Sequence, residues 1–95
     1  SDETIIDKYN EILVPEAKRF KPDLVLISAG FDSRKDDLLG CFDITDEGFV
    51  ELTKIAMNIA NESSNNRLVS ILEGGYNLKG NAKAVIAHIK QLKNY

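Results

Sequence analysis

The chain has 95 residues, 43% hydrophobic and 28% charged, with a formal net charge of −3. That balance excludes a disordered chain, and lysines spread along an acidic protein argue against direct nucleic-acid binding, which needs a basic patch. No apolar stretch approaches the roughly 20 residues that cross a bilayer, no signal peptide opens the chain, and the one cysteine, Cys41, excludes an internal disulfide or a Cys-based zinc cage. The expectation is an intracellular, cytoplasmic protein with no membrane partner.

From Thr4, "TIIDKYNEILVPEAKRF" sets Ile5, Ile6, Tyr9, Ile12, Leu13, Ala17 and Phe20 at helical spacing. Ser1 or Asp2 can cap its start. Pro15 removes an amide donor and crowds the preceding turn, so a kink or break is expected there. Lys21-Pro22 then ends the helix, because the residue before a proline is pushed out of the helical region.

Leu24 to Ile27 are contiguous apolar residues, the pattern of a strand covered on both faces in a parallel sheet. Asp46 to Asn61 reads as an amphipathic helix with Phe49, Leu52, Ile55, Ala56 and Ile59 inward. Thr45 supplies its cap, with Asp46 and Glu47 at the positive end of the dipole. After a polar "ESSNN" loop, Leu68 to Leu72 form the second strand. Asn81 to Leu92 form the last helix, with Ala84, Val85, Ile89 and Leu92 on one stripe.

The order is α-β-loop-α-β-loop-α, and two strands joined through a helix imply a parallel βαβ unit. Two strands alone leave open edges, so the chain reads as part of a larger α/β protein. Sites in open α/β sheets form outside the carboxyl ends of the strands, and both unusual loops follow a strand there. In the first, Gly30 permits a tight turn and Asp32 follows it. In the second, Gly74 and Gly75 allow close backbone approach and Tyr76 offers a hydroxyl. A carboxylate can bind a metal and a phenol can donate to a developing oxyanion. On chemistry alone, an aspartate after a strand is most often a turn former, and a tyrosine after Gly-Gly most often packs. Asp32, Asp36 and Asp37 do not match a calcium-loop spacing. His88, the only histidine, lies inside the last helix, where a structural or surface role is the default.

Together, "PDLVLISAGFDSRKDDLLGCFDITDEGF" and "LEGGYNL" resemble the zinc-dependent histone deacetylase family, which includes acetylpolyamine amidohydrolases and acetoin-utilisation proteins. The resemblance runs from about Ile12 to the C-terminus. It implies the C-terminal α-β-α-β-α part of an arginase/deacetylase-like parallel-sheet fold, with residues 1–95 as a single partial domain. It also implies that Asp32 is a zinc ligand, that Tyr76 polarises the substrate carbonyl and stabilises the tetrahedral intermediate, and that Leu39 lines the acyl channel. Gly74 and Gly75 belong to the same substrate-binding segment. The implied cofactor is Zn2+ and the implied substrate an acetylated lysine or other acetylated amine.

Two departures stand out. The family loop commonly reads Gly-Asp-Pro-Leu-Gly where this chain has Asp36-Asp37-Leu38-Leu39-Gly40. The family's Asp-x-His and His-His pairs, which supply the other zinc ligands and the general base, are absent from a chain with one histidine. The expectation is therefore a deacetylase segment that is inactive alone and does not hold zinc tightly. The rival is a non-catalytic remnant that self-associates, as a possible homo-oligomer, through its open sheet. A nucleotide-binding half-domain is weaker still, since neither Gly-x-Gly-x-x-Gly nor a P-loop lysine occurs.

Overall fold

The computed structural model describes residues 1–30, 44–73 and 78–94, in the last stretch with side chains from residue 82 onward. Elements run α1 (Asp2–Lys8), a π-helical turn (Tyr9–Leu13), α2 (Val14–Phe20), β1 (Val25–Ala29), α3 (Asp46–Ser63), β2 (Leu68–Leu72) and α4 (Leu78–Leu92). The expected α/β order is observed.

The first helix bends where Pro15 demands it. A regular α-helix would aim the Pro15 nitrogen, which has no hydrogen, at the carbonyl of Glu11. Instead the backbone widens just ahead of it, and the Val14 N–H bonds Tyr9 O, five residues back. Ser1 caps the start, accepting from the Thr4 N–H at 3.5 Å. The end is closed by Lys21 in the left-handed region, φ 55° and ψ 66°, whose N–H donates to Ala17 O at 2.8 Å.

β1 and β2 pair in parallel, with Val25 opposite Leu68, Ile27 opposite Ser70 and Ala29 opposite Leu72. β1 starts and ends later than its apolar run suggests, because the ladder sets its limits. Val25 N–H donates to Arg67 O at 3.0 Å, and Glu73 N–H donates to Ala29 O at 2.9 Å. Two side chains align the amino ends of the strands. Ser64 Oγ donates to Pro22 O at 2.5 Å and Arg67 Nε donates to Asp23 O at 2.9 Å.

The helices cover one face of the sheet. Ala29, Ile44, Phe49 and Ala84 form the buried cluster, with Ile5, Ile27, Leu52 and Val85 packed around it. Burying one such large side chain is worth roughly 1.5–3 kcal/mol. No described helix covers the opposite face, where Leu26 is 65% exposed and Val69 and Ile71 are about half exposed. The expectation that β1 is covered on both faces is met on one face only, because α3 and α4 lie on the same side as Ile27 and Ser70.

α3 follows its predicted boundaries closely, with Thr45 Oγ1 accepting from the Gly48 N–H at 3.1 Å. It runs on to Ser63, then turns through Asn65 and Asn66, both at positive φ, a conformation asparagine tolerates. α4 begins at Leu78 rather than Asn81. Gly80 costs a helix about 1 kcal/mol, and tertiary packing overrides propensities of that size. Ile89, expected inward, is 49% exposed, and His88 occupies the inward position instead at 7%.

Candidate functional site at the carboxyl ends of the strands

The sheet delivers two segments to one place. The carboxyl ends of β1 and β2 are direct neighbours, Ala29 beside Leu72, and the Glu73–Ala29 hydrogen bond carries the pairing one residue further. Gly30 turns away at once, its N–H donating to Ser28 O at 3.1 Å. The segments bearing the two motifs therefore leave the sheet from adjacent points. Asp32, Leu39, Gly74, Gly75 and Tyr76 themselves lie outside the described residues, as does Cys41.

An apolar groove of about 790 Å³ runs along β1, between the first helix and α3, and reaches Ser28, Ala29 and Gly30. Ile5, Tyr9, Leu13, Phe20 and Phe49 are among its walls, with Thr53 and His88 as polar members of the lining.

The amino end of α3, just downstream of the first motif, is fixed by a contact that the sequence did not suggest. Asp2 Oδ1 accepts from the Thr45 N–H at 2.8 Å, and Asp2 Oδ2 accepts from the Thr45 hydroxyl. Asp2 thus clamps the residue that caps α3. Gly48 sits beneath this clamp, where an added Cβ would stand 2.9 Å from the Ile44 methyl and closer still to the Asp2 carboxylate.

His88 is the buried titratable group of the described core. Its Nδ1 lies 2.7 Å from Thr53 Oγ1 and its Nε2 lies 2.7 Å from Ser70 Oγ. Burial holds the imidazole below its ordinary value of 6.5. The structural role expected of this histidine is observed. Its partners were missed because they lie on other elements, and the available signal was Thr53, a polar residue on the inward stripe of α3.

The described residues do not fit a zinc centre. Among them, no group of three or more His, Cys, Asp or Glu side chains could hold a metal ion, and both nitrogens of the one histidine are engaged. Catalytic zinc sites use three protein ligands.

Residues 1–92 match the histone deacetylase domain model, starting earlier than the motif-bearing stretch alone indicates. The chain belongs to the histone deacetylase family. It is 40% identical over 88 residues to type-2 histone deacetylase 1 of Dictyostelium discoideum, covering 93% of this chain and 5% of that protein. It is 37% identical over 91 residues to histone deacetylase 15 of Arabidopsis thaliana, covering 96% of this chain and 16% of that protein. The crystal structure of the HDA15 HD domain superposes with a TM-score of 0.87 at 37% identity, over 96% of this chain and 25% of that one. The chain is thus similar to a small part of each relative, and its fold is that of the corresponding part of a deacetylase domain. No described helix is long and apolar enough to cross a membrane.

Proposed function

We propose that this chain is the segment of a deacetylase that carries Asp32 as a metal ligand and Tyr76 as the oxyanion donor, for hydrolysis of the acetyl-amide bond of an acetylated lysine or other acetylated amine. The observation that carries the reading is the parallel pairing of Ala29 with Leu72. Asp32 follows Gly30 by two residues and Tyr76 follows Glu73 by three. The strands end at Ala29 and Leu72, so at about 3.3–3.6 Å per residue Asp32 is within about 11 Å of chain, and Tyr76 within about 14 Å, of two neighbouring strand ends. That spacing suits two groups that act on one acetyl carbonyl.

In this reading the Tyr76 hydroxyl donates a hydrogen bond to the carbonyl oxygen as it becomes negative. Gly74 and Gly75 let the backbone come close to the substrate, and Leu39 contacts the acyl-lysine stem. Zn2+ belongs to the intact protein, with further ligands that the described residues do not offer. The chain alone is inactive. In the intact protein, Tyr76→Phe is expected to lower turnover by roughly two to three orders of magnitude, the usual loss for one oxyanion donor, and Asp32→Ala to release the metal. Retention of zinc and activity by Asp32→Ala would remove the metal assignment. Deacetylation of an acetyl-lysine peptide by the 95-residue chain would overturn its proposed inactivity.

The open sheet face favours one second reading, a non-catalytic module whose occupant is another copy of itself. Leu26, Val69 and Ile71 on that face are each about half exposed or more, and contiguous exposed apolar residues mark interaction surfaces. Sedimentation of the purified chain decides it, since a monomer at tens of micromolar would exclude that module.

A further inference from the structure

The last helix stands apart from the rest of the chain in charge. All 15 acidic residues precede Leu78, and from there to Tyr95 the charged side chains are Lys79, Lys83, Lys90 and Lys93. That stretch is +4, which leaves −7 on the residues before it out of the net −3. Along the first helix and α3, cations pair locally: Lys8 with Glu11 at 3.8 Å, Arg19 with Glu16, and Lys54 with Glu51 at 3.1 Å. α4 carries no acid three or four residues away to do the same. Among the described residues, no ion pair reaches Lys83 or Lys90. Lys90 and Lys93 suit the negative pole at the end of α4, whereas Lys83 lies nearer the opposite pole and gains nothing from it.

An apolar patch lies between these lysines. α3 and α4 pack against each other, and a depression of about 400 Å³ lies between them. Val50 of α3 with Ile86 and Ala87 of α4 form its apolar lining, and Lys83 and Lys90 border it. Ile86 is 51% exposed. Asp46 is the one carboxylate of the lining; it stands at the positive pole of α3 and is itself engaged. Lys83 and Lys90 are two helical turns apart, about 10.5 Å along the axis. Ile86 comes three residues after the first and four before the second.

We propose that this α3–α4 groove is a docking surface for an acidic amphipathic helix of a partner protein, one whose apolar anchor is flanked by carboxylates seven positions apart. The occupant follows from charge complementarity. A helix laid along α4 repeats the interval of about 10.5 Å with carboxylates at i and i+7. Each then meets one lysine, and an apolar side chain at i+3 meets Val50, Ile86 and Ala87. This is the helix-in-groove mode, in which the apolar anchor gives affinity and the charges give orientation and speed of encounter. No described helix of this chain carries acids seven positions apart, so the groove does not suit a second copy. The surface is independent of the roles proposed for Asp32 and Tyr76.

The probe is a fluorescein-labelled, alanine-rich peptide of roughly 15 residues, long enough to hold a helix, with glutamate, leucine and glutamate at i, i+3 and i+7. Fluorescence anisotropy with the full chain is expected to show saturable binding, weakened roughly threefold when salt is raised to several times the Debye-screening level of dilute buffer. The same peptide with lysine in place of both glutamates is expected not to bind. Lys83→Glu combined with Lys90→Glu should weaken binding by about tenfold or more, since two attractive pairs become repulsive ones. Amide shifts on adding the peptide should fall on residues 83–94 and 46–50 and spare both strands. No binding of the acidic peptide up to about 1 mM, equal binding of the lysine peptide, or shifts centred on β1 and β2 would each overturn the proposal. So would tighter binding to phosphatidylserine vesicles than to the peptide. These readings come from the unsubstituted protein, so they hold even where the double variant does not fold; a folded double variant that binds as before would also overturn it.

Discussion

The clamp between Asp2 and Thr45 gives the sharpest test of how the chain is held together. Thr45→Ala removes the α3 cap, worth about 1 kcal/mol, and also the hydroxyl that donates to Asp2 Oδ2. Hydrogen bonds to charged groups contribute about 1.5–3 kcal/mol when buried. Both residues are only half-buried, so about 0.5–1 kcal/mol is the better figure here. The expected total is about 1.5–2 kcal/mol. Asp2→Ala loses the acceptor for both the Thr45 N–H and its hydroxyl and should cost about 1–2 kcal/mol. The double variant should lose less than the sum, by a coupling of about 1 kcal/mol. In a domain of this size, 1 kcal/mol moves Tm by roughly 4–8 °C, so urea and thermal melts both resolve the cycle. Asp2→Asn separates charge from shape, keeping one acceptor oxygen while losing the carboxylate. Additivity within about 0.3–0.5 kcal/mol, the limit for independent sites, would show that the clamp does not couple α1 to α3.

Two further outcomes follow from backbone geometry. Gly48→Ala should destabilise by about 1–3 kcal/mol through overpacking, although alanine ordinarily gains about 1 kcal/mol over glycine inside a helix. Combining it with Asp2→Ala should recover part of that loss, since the carboxylate is the nearer obstacle; no recovery in a thermal melt would place the conflict at Ile44 alone. Lys21→Gly should stabilise by about 0.5–1 kcal/mol, because Lys21 holds φ 55° at the end of α2, a conformation glycine adopts without the Cβ penalty. Unchanged urea midpoints would refute that attribution.

The elements were legible because local signals and tertiary packing agree. Thr45 before Asp46 and Glu47 marks a helix start that the structure keeps, and Lys21-Pro22 marks an end that it keeps. Pro15 marked a disturbance without specifying its form. The form is a π turn upstream of the proline, because the remedy for a missing donor and a crowded carbonyl is a wider turn before it. Long-range polar contacts left no such trace. Asp2 and Thr45 are 43 residues apart, and neither shows the other's presence through periodicity. His88 is 35 residues from Thr53 and 18 from Ser70. Its place on the inward stripe was hidden by Ile89, the more apolar neighbour, which hydrophobicity alone ranks first. A hydrogen-bonded imidazole displaced it because both ring nitrogens find hydroxyls on that side.

The candidate site was legible at its strand ends and through its resemblance, and the sheet explains why those two sources meet. A parallel pair in register brings two carboxyl ends together, so the two motif-bearing segments, far apart in sequence, leave the sheet from adjacent points. The same pairing accounts for the apolar residues on the outer face. Leu26, Val69 and Ile71 continue the hydrophobic runs that first suggested strands covered on both sides, yet the described helices cover only the side of Ile27 and Ser70. Strands that are apolar on both faces suit a sheet sandwiched between two helical layers, and the described residues supply one of them. The unevenness is therefore in coverage and not in the strands. Both strands are built for a buried sheet, which fits a chain that matches 25% of a solved deacetylase domain and offers, among its described residues, no complete metal centre of its own.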